Sequence, residues 1–409
     1  MFLRRVIGWF VILALALFAV GARADVNFKT VSEMESLEGD KETISGPFPG
    51  ILVTPHKDLN VQDSKYAQPY HSVCTVYVTQ RSSKSDTIHG YGRRFQVFVP
   101  DRASLPLAKR VARLLLLLWG ENHEHLRFDH TADFPTINVW LTREIASGLS
   151  PDTGGEQFEH EIYLYAIFRD RSPTEWAREI AHEYGHYALP GISGFTAPEE
   201  WANGVLGERL FLKWIGEDLK AGRLHAGDLT FITPDQLETY LALQVTPLVR
   251  RIVHEGIKAQ EMAKRDAEGM DYYTGAALGI DTLYGSRMLL SAMSLTHSPD
   301  STRLAQAPDF LRGFLEALRS ADTFTVTVPF GSKDSTSETL ALYLPRGQYT
   351  LSSEGPLKGW KLAEDGSGVH VQGSDRLSVG KPNWVKLTAT RTPSDETPVR
   401  LTFRRKEAP

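Results

Sequence analysis

The stretch that most constrains this chain is residues 172–189, SPTEWAREIAHEYGHYAL. Ser172, Pro173 and Glu175 stand where an N-cap, a proline at the first helical position and a capping-box glutamate stand. Trp176, Ile180, Tyr184 and Tyr187 then recur at helical spacing, which predicts an amphipathic helix. On that helix His182-Glu183-Tyr184-Gly185-His186 puts two imidazoles one turn apart on a single face. Two histidines so placed can share a Zn2+ ion, and the glutamate between them can take a proton from water that the ion activates. A buried helix whose histidines merely hydrogen-bond would leave that glutamate unexplained.

Around the motif the hydrophobic period sorts the chain into regions. Ser72–Gln80 and Arg94–Pro100 alternate as strands, and Leu105–Trp119 is helical and apolar, closed by Gly120. Thr136–Leu141 and His160–Phe168 read as two further strands. That order suits a twisted sheet with helices packed on it, and the strand before the motif helix is a candidate edge for an extended substrate. After a Gly- and Pro-broken loop, helices are expected at 197–219, 233–267, 272–293 and 303–319, with a break near Pro247. From Thr323 the period changes to two, through TFTVTVPF, ETLALYLP and WVKLTATR. The expected organisation is an extended lead-in at 25–70, an α+β catalytic domain at 71–321 and a C-terminal all-β, sandwich-like domain at 322–409. The catalytic domain divides into sheet and motif helix (71–190) and a helical lobe (191–321).

Residues 1–24 read as a secretory signal peptide: Arg4 and Arg5, an apolar run from Val6 to Val20, then Ala22-Arg23-Ala24. Its removal takes Arg4, Arg5 and Arg23 but no acid, so the formal charge goes from -5 to -8. The expected location is extracytoplasmic, secreted or periplasmic, with no stable membrane span after cleavage. A mildly acidic chain without a basic tail has no electrostatic reason to bind nucleic acid. Cys74 is the single cysteine, so no intramolecular disulfide can form, and its strand-like setting suggests a buried inert thiol.

A catalytic zinc site needs a third protein ligand, and no histidine continues the motif. A carboxylate on the next helix is expected, and three compete. Glu199 fits a capping box with Thr196, Ala197 and Pro198, and Glu200 lies in the same first turn, so the helix terminus accounts for both. Glu208 shares a face with Trp201, Val205, Phe211, Leu212 and Ile215, where an unpaired carboxylate is costly. Gly204 and Gly207 would let that helix approach closely. Glu208 is therefore the expected ligand, with Glu200, another residue or a core salt bridge as alternatives. The histidines of ENHEHLRFDH (His123, His125, His130) read as a solvated loop rather than a second metal cluster.

HEYGH followed by a downstream glutamate resembles the gluzincin group of zinc metallopeptidases, the thermolysin-like and aminopeptidase-like proteins. The resemblance spans about residues 71–293, and its specific part is 176–212. It implies a zincin-like fold, one catalytic Zn2+ held by His182, His186 and Glu208, and Glu183 as general base. It also implies an oxyanion donor from the helical lobe. The candidates are Tyr272, Tyr273, Tyr284 and His254, with Tyr273 the named choice and the stretch DYYTGAALGIDTLYG a cleft rim. Asp281 could orient a ligand histidine. Glu208 lies twenty-two positions after His186, beyond the group's usual spacing; Gly207 replaces the Asn that precedes the group's glutamate, and Leu212 replaces the supporting aspartate one turn later. The aminopeptidase Gly-x-Met-Glu-Asn loop is absent, which leaves the subfamily open.

The resemblance implies a zinc peptidase acting on a peptide or protein substrate. Two alternatives remain: an inactive zincin-like cell-envelope binding protein, or a zinc hydrolase of a non-peptide amide or ester. The β domain could bind substrate or an envelope component. The intact Glu183 argues against an inactive relative.

Overall fold

A computed structural model describes residues 26–28, 38–82, 85–126, 136–145, 149–196, 199–331, 334–362, 369–371, 375–392 and 398–406. The expected signal peptide lies outside them. No helix among the described residues is long and apolar enough to cross a membrane. The architecture is a mixed twisted sheet with flanking helices, then a helical lobe and an all-β region, a zincin-like domain with a β-sandwich. The chain forms two compact units. The first takes Met1–Gly120, Phe128–Ala188 and Arg223–Phe231; the second takes Glu121–Arg127, Leu189–Gly222 and Ile232–Pro409.

The first unit is built on an eight-stranded sheet. Its strands are β1 (Val26–Phe28), β2 (Asp40–Ile44), β3 (Gly50–Thr54), β6 (Ser72–Ser82), β7 (Ser85–Val99), β8 (Ile137–Leu141), β9 (Gly155–Phe158) and β10 (Glu161–Leu164). A small pair, β4 (Val61–Gln62) and β5 (Pro69–Tyr70), stands apart from it. The order is β2-β3-β6-β7-β8-β10-β9, with β1 on β7. Strands β2, β3, β6 and β7 pair antiparallel, β7, β8 and β10 run parallel, and β9 returns antiparallel on β10. Thus β2 and β3, from the stretch read as a lead-in, extend the sheet. Their buried Ile44, Leu52 and Val53 give these short segments a face to pack.

Both faces of the central strands are covered, which is why Val73 through Val78 are all buried. On one face Val73, Phe98, Trp140 and Tyr163 stand in register across four strands. Phe98 and Trp140 stack at 4.2 Å, and Tyr70 and Tyr165 complete that cluster. At its β9 end Glu156 accepts from Tyr66 and Tyr165 hydroxyls at 2.5 Å each and pairs with Lys65 at 2.7 Å. Cys74 is fully buried, and burial pushes its thiol up to about 12, as expected of an inert core cysteine.

The helix expected to end at Gly120 runs Leu105–His125. Gly120 stays inside it because a Cβ there would strike the Phe48 ring, so this glycine serves close packing and not termination. His123 and His125 therefore stand on the last helical turn and not in a loop; His130 lies outside the described residues. The expected strand His160–Phe168 is realised as β10, Glu161–Leu164, the second arm of a hairpin with β9, and Glu159 at φ 51° stands in the turn between them. Strand β10 is paired on both sides, so the sheet edge is β9.

In the second unit the helices run Ala202–Lys220, Pro234–Tyr240, Thr246–Glu255, Ala259–Met262, Ala267–Tyr284, Ser286–Ser294 and Ala307–Ser320. The break expected near Pro247 takes the form of a π-helical turn at Leu241–Val245, consistent with a proline that cannot donate an N–H. Gly256 (φ 77°) and Gly285 (φ 81°) end their helices in backbone conformations that other residues rarely adopt. From Thr323 two antiparallel sheets follow. One has the order β11 (Thr323–Val328), β18 (Val399–Arg405), β13 (Gly347–Glu354), β16 (Arg376–Val379), β15 (Val369–Val371). The other is β12 (Ser337–Leu344), β17 (Asn383–Arg391), β14 (Leu357–Leu362). Alternate residues Val326, Leu401 and Phe403 of one, and Leu342, Val385 and Leu387 of the other, form the buried core.

Candidate metal centre

The motif helix spans Pro173–Ala188. Its start follows the sequence signal: the Ser172 N–H donates to Glu175 Oε2 at 2.6 Å and the Glu175 N–H donates to Ser172 Oγ at 3.2 Å. Trp176, Ala177, Ile180, Ala181, Tyr184 and Ala188 make the buried face. Tyr184 meets Phe95 of β7 edge to face at 6.2 Å, and Trp176 stacks on Phe231 at 5.7 Å. The helix also packs along β9 and β10.

His182 and His186 are half-buried, with Nε2 atoms 3.1 Å apart and rings inclined at 75°. Two imidazoles that each bond a tetrahedral zinc at ~2.0–2.1 Å would hold their nitrogens about 3.3 Å apart. The pair thus converges at close to the separation a shared ion requires. Glu183 is 4% exposed. Its aliphatic stem lies against β9: a Cβ on Gly155 would come within 2.9 Å of Glu183 Cγ and 2.7 Å of the Tyr163 carbonyl oxygen. A Cβ on Gly154 would strike the Glu179 carboxylate. The two glycines allow the edge strand to run this close to the motif helix.

The ligand atoms of His182, His186 and Glu199 lie within 4.8 Å of one another, a candidate metal-binding cluster. The helix after the motif starts at Ala202, with Trp201 extended at its N-cap, so Glu199 precedes the helix and does not cap it. The loop carrying it is fixed by distant parts of the chain. Ser193 bridges Trp201, the Ser193 N–H donates to the Ala305 carbonyl, and the Thr196 N–H donates to the Arg265 carbonyl. These tertiary hydrogen bonds stand in place of the capping box that the sequence suggests around Glu199. Glu200 is exposed.

Glu208, the ligand expected from sequence, is buried as anticipated on its apolar stripe, but its Oε1 accepts a hydrogen bond from the Tyr240 hydroxyl at 2.6 Å. It does not stand in the group that gathers His182, His186 and Glu199. Tyr273 is buried between Phe195 and Phe310, with ring centroids 6.4 and 5.2 Å away, and burial raises its hydroxyl well above the ordinary tyrosine range. The other oxyanion candidates have structural partners. The Tyr272 hydroxyl accepts from the Lys258 N–H and donates to the Gly256 carbonyl; Tyr284 accepts from the Tyr343 N–H; His254 Nδ1 lies 2.8 Å from the Thr339 carbonyl. Asp281 pairs with buried Lys213 at 2.6 Å and accepts from Trp214 Nε1 at 3.0 Å.

No family model matches the sequence, and no curated protein matches it. Among solved structures, the chain is similar to Legionella pneumophila aminopeptidase A in complex with aspartic acid, with a TM-score of 0.32 and 9% identity. The match covers 88% of this chain and 41% of that one, so the chain spans less than half of its length. A likeness at that level adds no support to the assignment of a function, which rests on the motif helix and the residues gathered around it.

Proposed function

We propose that this chain is a gluzincin-like zinc metallopeptidase. The observation that carries the reading is the convergence of two imidazole Nε2 atoms on one helix face, with a buried glutamate between them and the Glu199 carboxylate within reach. His182, His186 and Glu199 would hold the ion. Bound there, zinc would supply a Lewis acid for a carbonyl and lower the pKa of a water.

The chain's own residues do the rest. Glu183 accepts the proton of the attacking water and returns it to the departing amine, a transfer that breaks the C–N bond without leaving an amide anion. Burial against β9 holds its side chain to one position. The outer edge of β9 can receive an extended peptide by strand addition. The role of Tyr273 as oxyanion donor has no support in its apolar surroundings. The place of action proposed from Arg4, Arg5 and the apolar run behind them is outside the cytoplasm.

Glu183→Gln tests the reading. It should retain one zinc at the motif and lose at least a hundredfold in turnover of an unbiased peptide library. Unchanged turnover removes Glu183 from its role. Zinc bound at the motif with no hydrolysis of peptides, amides or esters by the unsubstituted chain would favour an inactive binding protein.

A further inference from the structure

We propose a second, structural site for a divalent ion of the zinc class, formed by Glu121, His125 and Asp218. These residues lie in the second compact unit, and none of them belongs to the motif helix. Their ligand atoms fall within 4.8 Å of one another. Glu121 and His125 are one turn apart at the end of the Leu105–His125 helix, and Asp218 comes from the last turns of the Ala202–Lys220 helix. Two helices thus bring a histidine and two carboxylates to one point, a donor set that suits zinc or a neighbouring first-row ion.

Two further observations favour an ion over a plain hydrogen-bonded triad. His125 Nε2 lies 3.4 Å from Glu121 Oε2, longer than the ~2.7–3.2 Å of a good hydrogen bond. It equals the roughly 3.4 Å between two ligands bonded at ~2.1 Å to a tetrahedral ion. The imidazole is also held in one plane, stacked on Trp214 at 4.3 Å and 9°, and Trp214 is in turn fixed by its hydrogen bond to Asp281. Such outer support is what orients a ligating histidine. Glu121 is 0% and Asp218 4% exposed and His125 is half-buried, so an ion held there would serve to tie the two helices together.

Zinc titration of the full-length chain against a competing chelator decides, using the wild type and a His182→Ala/His186→Ala double variant. The double variant should retain one equivalent, and chelation should still lower its unfolding temperature. Adding His125→Ala should abolish that equivalent and the chelator's effect. A double variant that is folded by circular dichroism and binds no ion overturns the proposal, as does an equivalent that survives His125→Ala. Where His125→Ala does not fold, Asp218→Asn serves: a tenfold or greater loss of affinity supports the site and unchanged affinity overturns it. One equivalent in both wild type and double variant would sink the motif site and leave this one standing.

Discussion

Glu199 and Glu208 answer different physical demands, and the proposed choice of third ligand follows from the difference. Sequence reasoning assigned the helix terminus to Glu199 and the metal to Glu208, because a carboxylate on an apolar stripe needs a partner. The need is real, but the Tyr240 hydroxyl meets part of it. Tyr240 lies thirty-two residues away, at the end of another helix, and no local pattern announces the pair. Glu199→Gln should therefore weaken zinc binding at the motif by more than a hundredfold, since loss of even an outer partner costs 10–100-fold. Glu208→Gln should retain the metal and instead cost about 1–3 kcal/mol of stability through a weakened buried hydrogen bond. Zinc titration and thermal unfolding of the two variants separate these outcomes; the reverse pattern would return the ligand role to Glu208.

Among the elements, the motif helix was legible because its determinants are local. Ser172, Pro173 and Glu175 fix its start, and the period of Trp176, Ile180 and Tyr184 fixes its buried face. The Glu175 carboxyl is held below its usual range by the Ser172 backbone N–H and hydroxyl. A depressed carboxylate stabilises the fold above its unfolded pKa and loses that contribution as pH falls through the folded one. Ser172→Ala should thus cost roughly 1 kcal/mol at neutral pH. The difference should shrink in acid below the ordinary glutamate range, as parallel denaturant titrations would show. The strand that completes the site was less legible. Nothing local to Gly154 and Gly155 announces a close approach, and only the structure shows that they admit β9 against Glu179 and Glu183. Gly155→Ala should displace the Glu183 stem and lower turnover at least tenfold while zinc affinity stays within a fewfold of wild type. Equal losses in both would mean that the strand supports the whole helix rather than the base.

For the whole molecule, the change of period at Thr323 marked the start of the β region, and its strands follow. The alternation could not show how that region joins the helical lobe, because joining depends on side chains far apart in sequence. Within the second unit the junction is extensive. Tyr284 packs on Phe324 and accepts from the Tyr343 N–H, and His254 Nδ1 meets the Thr339 carbonyl. Arg405 donates to the Arg319 carbonyl, and a Cβ on Gly256 would come within 2.7 Å of the Trp384 ring. A chain ending at residue 321 would uncover the Tyr284 ring where it packs on Phe324, an apolar surface that promotes association. It would also leave the Tyr284 hydroxyl and the Leu318 and Arg319 carbonyls without their present partners. Sequence periodicity alone marked the β region as a separate domain; these contacts predict that the lobe depends on it. The chain ending at 321 should lose cooperative unfolding or associate at micromolar concentration, whereas the isolated β region, whose two sheets carry their own core, should remain monomeric and fold. Light scattering and thermal unfolding of both pieces test this. A monomeric, cooperatively folding 25–321 piece that binds zinc as tightly as the full chain would show that the junction contributes little to the stability of the lobe.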